Sequence, residues 1–201
     1  MRCSSTTIWR TKVAGVVLAA LLAGCTGSEP KFRAADITGA DYGKALSLTD
    51  QNGRSRTLAD FRGKVVALFF GYTHCPDVCP TTLAELSGVM KALGSDAGRL
   101  QVLFATVDPE RDTPGVLSRY VMEFDPRFLG LYGDAAATRR AARQFKVYYE
   151  KHEGDAPGAY TVDHSAGIYI LDPRGRLRLF ADLGKSTADL VHDIRVLLNE
   201  K

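Results

Sequence analysis

Long apolar runs alternate with helical patterns along most of the chain. Residues 65–70 are a continuous hydrophobic segment and residues 100–107 are mostly hydrophobic, and both are typical of strands buried on both faces of a sheet. An amphipathic helix is predicted after each of them. The first helix shows apolar residues at helical spacing, at Leu83, Leu86, Met90 and Leu93. The second begins at Thr113-Pro114, where threonine is a preferred N-cap and proline suits the first helical position.

Shorter elements precede and follow this central pair. Residues 45–49 and 54–58 predict a β-hairpin, because Asn52-Gly53 supplies the positive φ angles that a tight turn needs. Towards the C-terminus the pattern predicts a strand, a helix, a second hairpin and a last helix, at residues 128–132, 135–145, 166–171 with 177–180, and 187–198. Strands that alternate with single helices predict an α/β sheet covered by helices on both faces.

Two cysteines, Cys75 and Cys79, fall between the first buried strand and the helix that follows it. A dithiol at that point is the thioredoxin-like arrangement. The predicted fold class is therefore α/β, a thioredoxin-like central sheet flanked by helices, with an additional N-terminal β-hairpin. The start of the helix stays open, because Thr82 with Glu85 resembles a capping box and would leave Cys79 just before it.

The N-terminal segment predicts export rather than fold. Residues 1–24 combine three basic residues near the start with an apolar run at 13–22 and small residues at the end, which is the pattern of a signal peptide. The apolar run is about half of the roughly 20 residues that a spanning helix needs. An uncleaved N-terminal anchor is therefore the weaker alternative.

The end of this segment, Leu22-Ala23-Gly24-Cys25, resembles the lipobox of bacterial lipoproteins. We therefore expect Cys25 to be lipidated and to become the mature N-terminus, since two acyl chains bind a bilayer durably. Residues 25–40 then predict a flexible tether and residues 41–201 the folded domain. The expected location is the bacterial cell envelope, where the protein is lipid-anchored to a membrane and faces the periplasm.

The net charge of +3 does not indicate a nucleic-acid-binding protein. Three of the 26 basic residues lie in the predicted signal peptide, which leaves 23 against 23 acidic residues in the remainder. Such a balance argues against a general nucleic-acid or anionic-membrane surface. With 45% hydrophobic and 24% charged residues, the composition indicates neither a disordered chain nor a polytopic membrane protein.

The remaining cysteine pair is predicted to carry chemistry. Cys3 leaves with the signal peptide and Cys25 takes the lipid, so only Cys75 and Cys79 persist as thiols. One bridge closing so short a loop would stabilise the domain little. In a helical turn the two side chains share a face, and two thiolates are soft ligands that suit Cu(I) and also Zn²⁺. We expect the helix N-terminus to stabilise the thiolates.

A metal site would need a third ligand, and the chain has four histidines. His192 lies in the last predicted helix, and His152 lies in a polar segment that predicts a solvated loop. His74 adjoins the first cysteine, and we expect it to point away from a metal held by the pair. His164 precedes the strand at 166–171, and in a thioredoxin-like sheet the loop entering that strand faces the dithiol. A histidine that only stabilises the turn remains the alternative.

Four segments in order resemble the signatures of the Sco/SenC family, at residues 72–80, 107–114, 162–165 and 172–175. The resemblance implies that Cys75, Cys79 and His164 bind one copper ion per domain, as Cu(I) or Cu(II). It also implies a role in assembling the dinuclear copper centre of cytochrome c oxidase. The copper-bearing oxidase subunit is then the expected partner, with other copper chaperones or a thiol reductant as further ones. For a role in docking or metal support, we favour Asp108 over Asp112.

Two functions use the same cysteines. In the first, the protein is a metallochaperone that binds and delivers copper without turnover, and this function requires His164. In the second, it is an enzyme, a thiol:disulfide reductase that uses Cys75 and Cys79 to keep the copper-ligand cysteines of the oxidase reduced. A redox or copper sensor stays open as a third function, because sensing and delivery can share a site. Delivery is the favoured interpretation.

Overall fold

The structure is a computed structural model that describes residues 32–200. The predicted signal peptide, the predicted lipidation site at Cys25 and the first part of the predicted tether lie outside the described residues. Within residues 32–200, no helix combines the length and the hydrophobicity that are needed to cross a membrane.

An eight-stranded mixed sheet forms the centre of the domain. Its strands are β1 (Ala35–Asp36), β2 (Ser47–Asp50), β3 (Ser55–Thr57), β4 (Val65–Gly71), β5 (Leu100–Thr106), β6 (Leu129–Tyr132), β9 (Gly167–Leu171) and β10 (Leu177–Asp182). They lie side by side in the order β1-β10-β9-β4-β5-β6-β2-β3. A separate two-stranded hairpin consists of β7 (Tyr149–Glu153) and β8 (Tyr160–His164).

Among the described residues, four α-helices flank the sheet: α1 (Val78–Leu93), α2 (Pro114–Phe124), α3 (Ala135–Gln144) and α4 (Thr187–Asn199). The predicted cap of α2 is present, because the Thr113 hydroxyl accepts a hydrogen bond from the Val116 N–H (3.4 Å) and proline follows at the first helical position. The fold class predicted from the sequence, a thioredoxin-like central sheet flanked by helices, is confirmed.

The central strand β4 is buried along its whole length, as its continuous apolar sequence predicts. It pairs in parallel with β5, from Val65 opposite Leu100 to Gly71 opposite Thr106, and it pairs antiparallel with β9 on its other side. Pairing on both edges leaves the strand little freedom to shift. The carboxyl ends of β4 and β5 therefore meet at one edge of the sheet, and the loop that carries the cysteines starts there.

The predicted N-terminal hairpin is present as β2 and β3, and it extends the sheet because β2 also pairs with β6. The carboxylate of the buried Asp50 accepts hydrogen bonds from the backbone N–H groups of Asn52 (2.9 Å) and Arg54 (3.0 Å). Gly53 adopts φ +79°, a conformation that residues with a side chain adopt rarely. The turn residues from which the hairpin is predicted therefore also stabilise it.

The folded region starts earlier than the sequence predicts. Ala35–Asp36 pairs with the strand β10, and the backbone N–H groups of Arg33 and Ala34 donate to the buried carboxylate of Asp193 in α4. The sequence analysis assigned these residues to the tether at 25–40, because they show no apolar periodicity. Backbone pairing and one carboxylate from the far end of the chain hold them, and neither leaves a local pattern.

The segment around His152 forms strand β7, so the prediction of a solvated loop is wrong. This strand pairs antiparallel with β8, with Tyr149 opposite His164 and Glu153 opposite Tyr160. Its last four residues are all exposed. It therefore lacks the alternation of apolar and polar residues by which a half-buried strand is recognised. The hairpin ends at the predicted third ligand.

Candidate metal centre

The two cysteines lie where the chain leaves β4 and enters α1. Cys75 precedes the helix and donates its backbone N–H to the Tyr72 carbonyl (3.3 Å), whereas Cys79 is the second residue of the helix. Both are free thiols; Cys79 is fully buried and Cys75 is 9% exposed. The Thr82 hydroxyl donates to the Val78 carbonyl inside the helix (2.7 Å). The alternative in which Thr82 caps a helix that starts after Cys79 is therefore wrong.

Gly71 makes room for the buried thiol. A Cβ atom at this position would lie 2.6 Å from Sγ of Cys79 and 2.9 Å from the ring of Phe104, closer than side-chain carbons approach one another. The glycine is the last residue of β4 and is paired with Thr106 of β5, so its backbone cannot easily move away. The absence of a side chain at residue 71 thus fixes how close the dithiol lies to the sheet.

His164 reaches the cysteines from the opposite wall of the site. It is the last residue of β8, and its Nε2 lies 3.5 Å from Sγ of Cys79. The ligand atoms of Cys75, Cys79 and His164 all lie within 4.8 Å of one another. Within residues 32–200, this is the one cluster of three or more histidine, cysteine or acidic side chains that could hold a metal ion.

Three contacts orient the His164 ring. Its Nδ1 lies 3.1 Å from the carbonyl oxygen of Ser165. A carbonyl only accepts, so Nδ1 carries the proton, and Nε2 is left with its lone pair towards Cys79. The ring also contacts the side chains of Phe69 and Tyr72 edge-on, with centroids 6.0 and 5.9 Å away. The imidazole is therefore held in the tautomer that binds a metal through Nε2.

Burial shifts the protonation of both inner ligands. Loss of solvent lowers the pKa of His164 below its ordinary value, which favours the neutral, metal-binding ring. Loss of solvent also raises the pKa of the Cys79 thiol far above its ordinary value, and the neighbouring Cys75 adds to the rise. For Cys79, desolvation therefore outweighs the stabilisation of the thiolate that is expected from the helix N-terminus. A metal ion that binds here would displace the thiol proton.

The other three histidines lie outside the cluster. His74 is half-exposed, and its Nδ1 lies 3.1 Å from the Thr73 hydroxyl. His152 pairs with Asp163 on the exposed surface of the hairpin (3.1 Å). His192 contacts a carboxylate on its own helix. Their placement agrees with the expectation that none of them faces the dithiol.

The buried Asp112 stabilises the loop at residues 72–77, which joins β4 to α1, carries Cys75 and is called here the dithiol loop. The Asp112 carboxylate accepts hydrogen bonds from the Thr73 N–H (3.1 Å), the Thr73 hydroxyl (2.6 Å) and the Thr106 hydroxyl (2.5 Å). Burial raises the pKa of this carboxyl group. The sequence analysis favoured Asp108 of the two acids, but the contact with the dithiol loop belongs to Asp112. Only the order of the elements around the sheet brings this carboxylate to Thr73, so a local motif could not have distinguished it.

The cluster opens to solvent through a groove of about 540 Å³. The dithiol loop forms one wall with Pro76 and Asp77, and the hairpin forms the other with Asp163 and Tyr148. Tyr148 is 58% exposed at the rim. A metal bound at the bottom of the groove would therefore be within reach of ligands from another molecule.

The fold and the site together define a class of protein: a thioredoxin-like domain whose dithiol is joined by a histidine in a cluster suited to a soft metal ion. Comparison with known proteins makes the assignment specific. The SCO1/SenC family model matches residues 34–199, and the chain belongs to this family.

Solved structures with this fold include two close matches. Bradyrhizobium japonicum ScoI with copper bound is 42% identical, with a TM-score of 0.72 over 78% of this chain and 99% of that one. Apo Sco1 from Thermus thermophilus is 40% identical, with a TM-score of 0.75 over 85% of this chain and 99% of that one.

A curated relative is the mitochondrial SCO2 homolog of Bos taurus, which is 44% identical over 152 residues. The match covers 75% of this chain but 57% of the relative. The mitochondrial SCO2 homologs of mouse and human are likewise matched over 60% and 56% of their length. This chain therefore corresponds to little more than half of these relatives.

Proposed function

We propose that the protein binds one copper ion through Cys75, Cys79 and His164 and delivers it during assembly of the dinuclear copper centre of cytochrome c oxidase. The convergence of the three ligand atoms within 4.8 Å carries the proposal. The Sco family is described as one of cytochrome c oxidase assembly proteins. The copper-bearing subunit of the oxidase is then the partner, and another copper chaperone or a thiol reductant would load or reset the site.

The donor set fits copper. Two thiolates suit Cu(I), which accepts low coordination numbers, and a neutral imidazole makes Cu(II) tolerable at the same place. Sco proteins of this fold from Bradyrhizobium japonicum, Arabidopsis thaliana and yeast have been solved with copper bound, at 42%, 34% and 33% identity to this chain. The ion is cargo in this account, so the residues must release it as well as hold it.

Delivery is supported by the shape of the site. Three ligands at the bottom of an open groove leave room for a fourth from an incoming partner, through which the ion can be exchanged. Oxidation of Cys75 and Cys79 to a disulfide would remove two ligands and release the metal. Lipidation of Cys25 on the periplasmic side of a bacterial membrane would keep the groove near a membrane-bound oxidase.

A second function, thiol:disulfide reduction, is favoured by the state of the cysteines. Both are free thiols. Cys75 lies in the loop before α1 and Cys79 lies in the first turn of α1, and Cys75 is the more exposed. In that reaction the dithiol gives two electrons and two protons to a partner disulfide, which becomes two thiols, while Cys75 and Cys79 form a disulfide. The same change of state would serve a redox sensor.

The substitution His164→Ala separates delivery from reduction, because it removes the third ligand and leaves both thiols. We expect Cu(II) affinity to fall most and oxidase assembly to fail at low external copper, with normal levels of the protein. His152→Ala on the same hairpin is the matched control, since its ring lies outside the cluster. Oxidase activity near wild type in the His164→Ala strain would favour the reductase function instead.

A further inference from the structure

His164 is carried by an arm that has no strand pairing with the main sheet. The hairpin of β7 and β8 forms a sheet of its own, and a two-stranded hairpin is marginally stable by itself. His164 lies at the base of this hairpin, three residues before β9, and Val162 packs into the core, while the outer end that carries Tyr160 is fastened to the body by side chains. The contacts of Tyr160, the first residue of β8, show where this happens.

The Tyr160 side chain docks on the loop that follows β5. Its hydroxyl donates to Oδ1 of Asp108 (2.8 Å), and the guanidinium of Arg111 lies 3.5 Å from the centre of its ring. Burial, together with the hydrogen bond to Asp108, raises the pKa of Tyr160 to about 12, so the hydroxyl remains a donor. Lys151 of β7 covers the ring at 3.8 Å.

Arg111 closes the arrangement into a ring of contacts. Its Nε donates to Oδ2 of Asp108 (2.5 Å), and its Nη1 donates to the carbonyl oxygen of Tyr160 (2.9 Å). Asp108 is 4% exposed and donates its own N–H to the hydroxyl of Thr106 at the end of β5 (2.9 Å). The hairpin is thus tied, through the side chains of Tyr160, Asp108 and Arg111 and one carbonyl, to the same strand that supports the dithiol loop.

We propose that Asp108, Arg111 and Tyr160 form a latch that positions His164 opposite the dithiol and thereby sets the affinity for Cu(II). The proposal rests on the proposed function, since it assumes that His164 is a copper ligand. It gives Asp108 a role other than partner docking. It also assigns roles to Arg111 and Tyr160, which stand 53 and 4 residues from the histidine in the sequence.

The latch should act selectively on one oxidation state. Opening it moves the imidazole, while Cys75 and Cys79 stay in place because they are held by β4, α1 and Asp112. Cu(I) can persist on two thiolates, whereas Cu(II) depends on the nitrogen ligand. When a ligand must first be ordered, the apparent affinity is the intrinsic affinity multiplied by the fraction of time that the ligand is in place.

The test compares Tyr160→Phe with Tyr149→Phe in the full-length protein. Both variants lose one hydroxyl from the same hairpin. Tyr149 lies directly opposite His164, yet its hydroxyl has no hydrogen-bond partner among residues 32–200, which makes it a stringent control. Amide hydrogen exchange of residues 149–164 is measured in the metal-free protein. Cu(II) and Cu(I) affinities, and the thiolate-to-Cu(II) absorption band, are measured separately.

We expect Tyr160→Phe to speed exchange in the hairpin about tenfold, because a hydrogen bond to a charged group is lost. Cu(II) affinity should fall by up to a similar factor, set by how far the closed fraction of the hairpin decreases, with a shifted absorption band, while Cu(I) affinity changes less than about threefold. Asp108→Asn should weaken Cu(II) in the same direction, and Tyr149→Phe should change neither quantity.

Two results would overturn the latch: unchanged hairpin exchange in Tyr160→Phe, or faster exchange with wild-type Cu(II) affinity and an unshifted band. A parallel His164→Ala sample distinguishes this from failure of the proposed function. If His164→Ala binds Cu(II) like wild type, the histidine is not a ligand and the copper part of both proposals falls. If His164→Ala weakens Cu(II) and Tyr160→Phe does not, only the latch falls.

Discussion

The two walls of the candidate site are built by different means. The dithiol wall joins a fully buried strand to a helix, and Gly71, Phe104 and Asp112 fix its position from inside the domain. The histidine wall is the end of a two-stranded hairpin outside the main sheet, where Val162 packs into the core and polar side chains add further contacts with the body. The sulfur ligands are thus part of the core, whereas the nitrogen ligand is attached to it.

This difference suits the proposed function, in which the protein must hold an ion and then release it. In that proposal, the rigid pair of thiols would bind Cu(I), and opening of the hairpin would control the third ligand. Segments with few buried contacts are the ones that open locally while the core stays folded. The comparison therefore predicts that damage to the dithiol wall is severe and general, and that damage to the arm is mild and selective.

The largest effect is expected from Cys79→Ala, which removes a ligand from the rigid wall. Loss of one of three metal ligands should weaken Cu(I) binding on the order of a thousandfold. Competition with a chelator of known affinity measures this loss. His152→Ala, whose ring lies outside the cluster, should bind as wild type does. Retention of wild-type Cu(I) affinity by Cys79→Ala would contradict the dithiol site.

Gly71→Ala should disturb the same wall without replacing a ligand. The added methyl group would meet Cys79, Phe104 and Phe69 at 3.0 Å or less, so the core must shift. We expect the free energy of unfolding to fall by about 3 kcal/mol, the cost of overpacking a well-filled core. Denaturant titration checks this. Gly98→Ala is the control, since a Cβ there meets nothing within 4 Å. Equal free energies of unfolding for the two variants would contradict the close packing at residue 71.

Asp112→Asn should loosen the dithiol loop to a smaller extent. The amide group keeps the shape but can no longer accept hydrogen bonds at both oxygen positions from Thr73 and Thr106. We expect a loss of about 1.5 kcal/mol in unfolding free energy, with weaker binding of both Cu(I) and Cu(II). A variant that loses Cu(II) affinity alone would show that Asp112 serves the arm instead.

The smallest effect is expected on the arm, from Lys151→Gln. Lys151 covers the Tyr160 ring and lies 3.5 Å from Glu110, but it is largely exposed, where such contacts contribute about 0.5 kcal/mol. Hairpin exchange should speed about twofold, well short of the effect of Tyr160→Phe. A larger increase in hairpin exchange for Lys151→Gln than for Tyr160→Phe would show that Lys151 makes the main stabilising contact.

The two walls also differ in how far the sequence predicts them. The apolar run of β4, the helical spacing in α1 and the position of the cysteines between them define the dithiol wall, because burial imposes a pattern on neighbouring residues. The hairpin has no such pattern, since most of β7 is exposed. His164 was found through its place before β9 and through the family resemblance, while the strand that carries it was missed.

Residues joined only by the fold escaped prediction for the same physical reason. Tyr160 lies 52 residues from Asp108, and Thr73 lies 39 residues from Asp112. The short strand β1 is likewise held by Asp193 from the other end of the chain. Contacts of this kind depend on how the elements pack together, which periodicity and local motifs do not report.

The central claim is that two sulfurs and one nitrogen of this chain hold a single copper ion. X-ray absorption spectroscopy at the copper edge of the copper-loaded protein tests it most directly. The account predicts one copper per chain, scattering from two sulfur atoms and an imidazole, and loss of the imidazole signal in His164→Ala. A copper environment of nitrogen and oxygen alone, without copper–sulfur scattering, would contradict it.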